Sequence, residues 1–264
     1  MMTTNQTRTI KSILLLAGSF TFAFLLGELV HEYGHYLGHL AYGNPDNVQV
    51  HVDPFGGTMI VGVTSLPDKI ISVTSATGPL FDLLLAVSCL LLLWRIRRPA
   101  LLPFLLWGPI AMIQEGVNFS LGMLTPGGDA QWIAAMGVPR PLLFLTGLFL
   151  LVAGVKTISL LLPLTDIQRD ESFKNKFLIV LLGMCSLMLI RFIHSIVASP
   201  TSVVENLVPL IFSLLLAVFV VLLYKPTSES THAAKEKPKP VTWSIVASSL
   251  VLGTSLFLFQ SLFW

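Results

Sequence analysis

Charge is what this 264-residue chain has least of. Only 11% of its residues are Asp, Glu, Lys or Arg, against roughly 25% in a water-soluble domain, which argues against a soluble enzyme or a binding module of ordinary composition. The net charge of +2 gives no argument for a nucleic-acid partner. Cysteine is nearly missing too: Cys89 and Cys185 lie singly within apolar runs, so neither a disulfide framework nor a cysteine metal site is indicated. No internal repeat is visible, and no soluble domain larger than a short segment between the first two apolar runs. What remains is 54% hydrophobic with a mean hydropathy of +0.80. That is a membrane protein.

A membrane-spanning helix needs about 20 mainly apolar residues. Such runs fall near 11–41, 70–94, 101–121, 142–164, 177–197, 203–224 and 241–263. The fold class expected is therefore an all-α polytopic membrane protein of about seven transmembrane helices, or six if the last is peripheral. The first run imitates a signal peptide, with Arg8 and Lys11 before an apolar stretch. No clean small-x-small cleavage site follows, and the run continues into Glu28 and a group of histidines, so it reads as a retained helix. Loop charge orients the bundle. Arg8 and Lys11, then Arg95, Arg97 and Arg98, then Arg169, Lys174 and Lys176, then Lys225, Lys235, Lys237 and Lys239 all fall on one side. Lys69 and Arg140 fall on the other. The positive-inside rule then puts the N-terminus in the cytoplasm and the C-terminus outside.

Between the first two spans, Val48, Val50 and Val52 alternate with Gln49 and His51. Pro54-Phe55-Gly56-Gly57 then turns the chain into a second β-branched run ending at Val63. Alternation, a Gly-Gly turn and that second run predict a β-hairpin over 48–63. Unpaired strand edges are untenable in lipid, so the hairpin belongs at the interface or in a protein cavity. An exposed edge there can pair with an extended substrate. Residues 225–240 are basic and proline-rich, a solvated linker.

The chain is organised around His31-Glu32-Tyr33-Gly34-His35. Residues four apart on a helix share a face; two imidazoles so placed can hold one zinc ion, and Glu32 beside them can serve as general base toward water. Ionisable residues inside a membrane span call for a functional explanation by default. A catalytic zinc needs a third protein ligand. His39 lies one further turn along, but three ligands on successive turns span about 12 Å, too far to converge. Asp129 is the stronger candidate. It follows Pro126-Gly127-Gly128 in a broken segment, 122–138, and non-helical backbone at membrane depth is tolerated where it lines a cavity or is buried in protein. The end of the third span also faces the same side as the end of the first.

Gln114, Glu115 and Asn118 make a polar patch in the third span, which points to a cavity or an interhelical contact. Asn118 can donate to a substrate carbonyl or to a developing oxyanion. Glu115 reads as a supporting or structural group, with direct ligation the lesser alternative. Glu28 can orient a ligating histidine or make an interhelical hydrogen bond. Asp82 is a further intramembrane carboxylate. Lys156, Arg191 and His194 are expected to lie outside the cluster, snorkelling or packing between spans.

Four landmarks in order resemble the site-2 protease family of intramembrane zinc metalloproteases. They are His31-Glu32-Tyr33-Gly34-His35; Pro54-Phe55-Gly56-Gly57; Gly78-Pro79-Leu80-Phe81-Asp82; and Asn118 followed by Pro126-Gly127-Gly128-Asp129. The resemblance implies Zn2+ held by His31, His35 and Asp129, Glu32 as catalytic base, Asn118 positioning the substrate, and a transmembrane protein as substrate. It divides the chain into a metalloprotease-like core (1–140), accessory helices (141–224), the linker (225–240) and a C-terminal helix (241–264). Asp82 stands where the family commonly has Asn, and Ala130 where it has Gly. The loop charges put the motif toward the outer face, whereas the family usually holds its metal nearer the cytoplasm.

The function expected is hydrolysis of a peptide bond in or near the transmembrane segment of a membrane-protein substrate. The alternative is a non-proteolytic membrane scaffold or accessory subunit that keeps the fold, with the helices after 141 docking a second copy or another membrane protein. A di-iron hydroxylase would need more clustered histidines than six, only three of them close together. A transporter would be expected to show an inverted repeat.

Overall fold

The structure, a computed structural model, describes residues 4–42, 49–52, 58–61, 67–124, 128–167, 171–198, 203–224 and 240–263. Eight α-helices occur among them: α1 (Thr4–Ala41), α2 (Asp68–Leu93), α3 (Leu102–Leu121), α4 (Asp129–Ala135), α5 (Arg140–Leu161), α6 (Phe173–Ala198), α7 (Val203–Leu223) and α8 (Trp243–Phe263). Six of these, α1, α2, α3, α5, α6 and α8, are long and apolar enough to cross a membrane, and α7 carries a shorter apolar stretch over Leu210–Leu223. The chain is an all-α, multi-pass membrane protein in architecture. Two short strands, β1 (Gln49–Val52) and β2 (Thr58–Val61), pair antiparallel with Val50 opposite Ile60 and Val52 opposite Thr58. They pack beside α1. Val50 and Val52, two apart and so on one face of the pleat, are both buried. The Pro54-Phe55-Gly56-Gly57 turn and the linker 225–239 lie outside the described residues.

Helix α1 is the axis of the bundle, contacting α2, α3, α6 and α8. Lipid tails are as apolar as leucine, so helices in a bilayer associate through close packing and polar ties rather than through hydrophobic burial. The glycines sit where that packing is tightest. A Cβ on Gly18 would come 2.8 Å from the backbone of α8, and one on Gly253 would come 2.8 Å from the Gly18 carbonyl oxygen. Ser19 and Ser249 hydrogen-bond across the same contact at 2.9 Å. Between α3 and α5 the arrangement repeats: a Cβ on Gly147 would meet the Gly116 carbonyl oxygen at 2.7 Å, and one on Gly154 the Pro109 carbonyl oxygen at 2.6 Å. At the start of α1, Arg8 pairs with Glu171 at 2.6 Å and Lys11 donates to the Val241 carbonyl. These contacts fix α1 along its first two thirds. Its last third is left to α2, α3 and α4, and there the packing turns polar.

Candidate metal centre

His31 and His35 project from one face of α1 with ring centroids 4.7 Å apart and planes at 82°. Their Nε2 atoms approach to 3.0 Å. Asp129, the first residue of α4, brings Oδ2 to 3.1 Å from His31 Nε2 and Oδ1 to 3.4 Å from His35 Nε2. The fold thus joins the C-terminal third of the first helix to the residue after the break in the chain, 98 positions away. Pro126 and Gly127 themselves lie outside the described residues.

The other nitrogen of each ring fixes the tautomer. His35 Nδ1 lies 2.8 Å from the Thr74 carbonyl oxygen, an acceptor with no proton to give, so Nδ1 carries the hydrogen and, in the neutral ring, Nε2 has the lone pair. His31 Nδ1 lies 2.7 Å from Glu115 Oε1, and the same logic holds with a carboxylate as acceptor. This is how ligating histidines are oriented and made more basic. Three lone-pair donors therefore face one another at 3.0–3.4 Å. A tetrahedral zinc site with bonds of about 2.0–2.1 Å separates its donors by about 3.3 Å. The residues fit a metal of that kind.

Local sequence explains why the rings can sit there. A Cβ at Gly34 would collide with the backbone of Thr77 and Gly78 at 2.8 Å, and one at Gly78 would run into the His35 ring. Pro79, inside α2, has no N–H to donate back into the preceding turn, next to the Thr74 carbonyl that holds His35. Gly78 thus gives the His35 ring its room and lets α1 and α2 approach at Gly34.

Around the trio stands a ring of supports. Asn118 donates through Nδ2 to Glu115 Oε2 at 3.1 Å and to Asp129 Oδ2 at 3.2 Å. The sequence expects Asn118 to face a substrate carbonyl; in this arrangement its amide orients two carboxylates. A Cβ on Gly122 would meet Asn118 Oδ1 at 2.8 Å, so glycine keeps that side chain's space. Glu32 is buried and brings a ligand oxygen within 4.8 Å of ring nitrogens of His31 and His35. A cavity of about 170 Å³ opens beside the trio, walled by Gly27, Glu32, Asp82, Gln114, Glu115 and Asn118 among others.

Two groups take one of the alternatives the sequence left open, the interhelical contact for Glu28 and packing between spans for Arg191. Glu28 does not orient a histidine: Arg191 of α6 clamps it with two bonds of 2.9 and 2.6 Å. Arg191 in turn does not snorkel; it is 5% exposed, and its guanidinium lies 5.0 Å from the Phe24 ring centroid. The presence of one acid and one base in separate spans was the only sequence signal for that pair. His39 is buried and takes no part in the hydrogen bonds of the centre. Asp82 is buried in α2 and accepts from Trp107 Nε1 at 2.9 Å, a partner that sequence reasoning missed. Lys156 lies exposed on α5. Comparison with protein-family models, curated proteins and solved structures found no match to this chain.

Proposed function

We propose that this multi-pass membrane protein is an intramembrane zinc metalloprotease that cleaves a membrane-protein substrate in or near its transmembrane segment, akin to the site-2 proteases. One observation carries the reading: the lone pairs of His31 Nε2, His35 Nε2 and Asp129 converge at 3.0–3.4 Å with their supports already in place. Lone pairs so close repel one another unless a proton or a metal cation lies between them, and two neutral imidazoles with a carboxylate are a zinc donor set. Zinc held by His31, His35 and Asp129 would supply Lewis acidity toward a peptide carbonyl and toward water. Glu32, off to one side of the donors, takes the proton from the attacking water and returns it to the departing amine. Asn118 and Glu115 hold Asp129 and His31 through the cycle. β1 and β2 form one hairpin, and its outer edge pairs with an unwound stretch of substrate. In this reading α7 crosses the bilayer as a seventh span, the N-terminus is cytoplasmic, and the helices after 141 form the face for a second copy or a membrane partner.

The test is zinc content and cleavage on the purified full chain. Wild type carries stoichiometric zinc, and His35→Ala and Asp129→Ala lose it. Glu32→Gln keeps zinc while cleavage falls about 10²–10⁴-fold. Wild-type protein without zinc but with a stoichiometric membrane partner would establish the scaffold instead. Cleavage by Glu32→Gln at the wild-type rate would remove Glu32 from the mechanism.

A further inference from the structure

Peptide hydrolysis consumes a water molecule at each turnover, and a site enclosed by helices needs somewhere to keep one. The cavity beside the metal centre is walled in part by Asp82 and Gln114, which take no part in the trio or its supports. Asp82 is 1% exposed; its Oδ1 accepts from Trp107, and its Oδ2, although buried, meets no donor from the protein. Gln114 Oε1 is buried and meets no protein donor either. Both oxygens border the same notch, for a Cβ on Gly27 would lie 2.6 Å from Gln114 Oε1 and 3.7 Å from Asp82 Oδ2. Glycine is what keeps that notch open.

Two buried acceptors facing one notch with no protein donor between them is a costly arrangement, because each forfeits its hydration. Water is the guest that resolves it most simply: one molecule has two hydrogens, one for each oxygen, and keeps its lone pairs for other donors. Buried waters characteristically satisfy otherwise unmatched polar groups. The cavity's 170 Å³ is far above the roughly 10–15 Å³ that a single water needs. Gln114 is also the boundary of the polar space. On its other flank lies an apolar cavity of about 260 Å³ lined by Phe20, Phe24, Ile113 and Phe212 among others, and apolar cavities of this kind stay dry.

We infer that the cavity beside the metal centre is the protein's internal water site, with Asp82 and Gln114 as positioning residues that hold one water across Gly27. The chamber is walled by Gly27, Asp82 and Gln114 and also by Glu32 and His31, so water held at the notch shares one chamber with the base. The use of this water in hydrolysis rests on the protease reading; its presence does not.

The experiment is a high-resolution structure of the full-length zinc-loaded chain in lipid, wild type beside Gly27→Ala, with zinc content and cleavage kinetics on the same preparations. Wild type shows a solvent peak within hydrogen-bond distance of both Asp82 Oδ2 and Gln114 Oε1. In Gly27→Ala the peak is gone and zinc content is unchanged, while kcat falls up to about a hundredfold at unchanged KM. Gln114→Leu, which removes one acceptor without crowding the notch, loses the peak too and stands in if Gly27→Ala fails to fold. Asp82 bonded straight to Gln114, an ion with short coordinating distances, or a solvent-free notch would each overturn the proposal. If wild type cleaves nothing, the protease reading falls while the solvent peak still decides the water site.

Discussion

Glu28 and His31 stand one turn apart on α1, but they face different helices and different chemistry. Glu28 meets Arg191 in a two-bonded clamp at 2.6 and 2.9 Å, an acid and a base that neutralise and satisfy each other. His31 meets His35 and Asp129 at 3.0 and 3.1 Å, where two imidazole nitrogens and a carboxylate converge on one point. Both clusters are buried polar islands in an apolar bundle, and burial alone does not tell them apart. Complementarity does. The first cluster pairs acid with base and ties α6 to α1; the second, in the zinc reading proposed above, is completed by a bound cation. An intramembrane ionisable group is thus read by what its partner lacks.

The largest effect that would break this comparison is at the clamp. Arg191→Met leaves Glu28 as an uncompensated buried charge, and removing one partner of a buried ion pair costs about 3–5 kcal/mol. Equilibrium unfolding in detergent with a reversible denaturant measures it. Glu28→Leu with Arg191→Met recovers most of that loss, since a packed apolar pair replaces a closed ionic one without penalty. If the double variant were as unstable as the single, the clamp would not be the self-contained unit described here.

The second prediction separates the clusters by their response to metal. Zinc at a hundredfold excess over its dissociation constant adds about 2.7 kcal/mol to wild-type stability, and a chelator removes that increment. Asp129→Ala gains far less from zinc. Arg191→Met, though destabilised, gains the full increment, because its cluster shares no donor atom with the centre. Thermal unfolding of the three proteins with zinc and with chelator gives the answer. Equal zinc responses from wild type and Asp129→Ala would dissolve the distinction.

The outline of the bundle was legible in the sequence because bilayer thickness translates directly into length of apolar run, and the six long apolar helices fall where such runs do. The pair at His31 and His35 was legible because helical period is local. What could not be read was partnership at distance. Arg191 and Glu28 are 163 residues apart, and each taken singly is only a charge in a span. Gly78 looks like a helix breaker beside Pro79; its actual service, room for the His35 ring, depends on how α1 and α2 cross. The carbonyl of Thr74 that fixes His35 belongs to every residue and so leaves no mark in the sequence. The closeness of α8 to α1, set by Gly18 and Gly253, is equally silent, because small residues are scattered through every span.

A further effect concerns Glu115, which belongs to neither cluster's core but, in the zinc reading, tunes how tightly the second one holds its metal. Its Oε1 accepts from His31 Nδ1 at 2.7 Å and its Oε2 from Asn118 Nδ2 at 3.1 Å. Removing such a support typically lowers metal affinity about 10–100-fold. Glu115→Gln falls at the tenfold end, about 1.4 kcal/mol, because the amide oxygen still accepts from His31 and only the negative charge is lost. Glu115→Ala falls at the hundredfold end, because His31 Nδ1 then has no acceptor and the ring is free to turn its lone pair away from the centre. Zinc affinities from competition with a chelator, on wild type and both variants, order the three. Were Glu115 itself a ligand, glutamine would serve far worse than the aiming role allows, and Glu115→Gln would fall as far as Asp129→Ala.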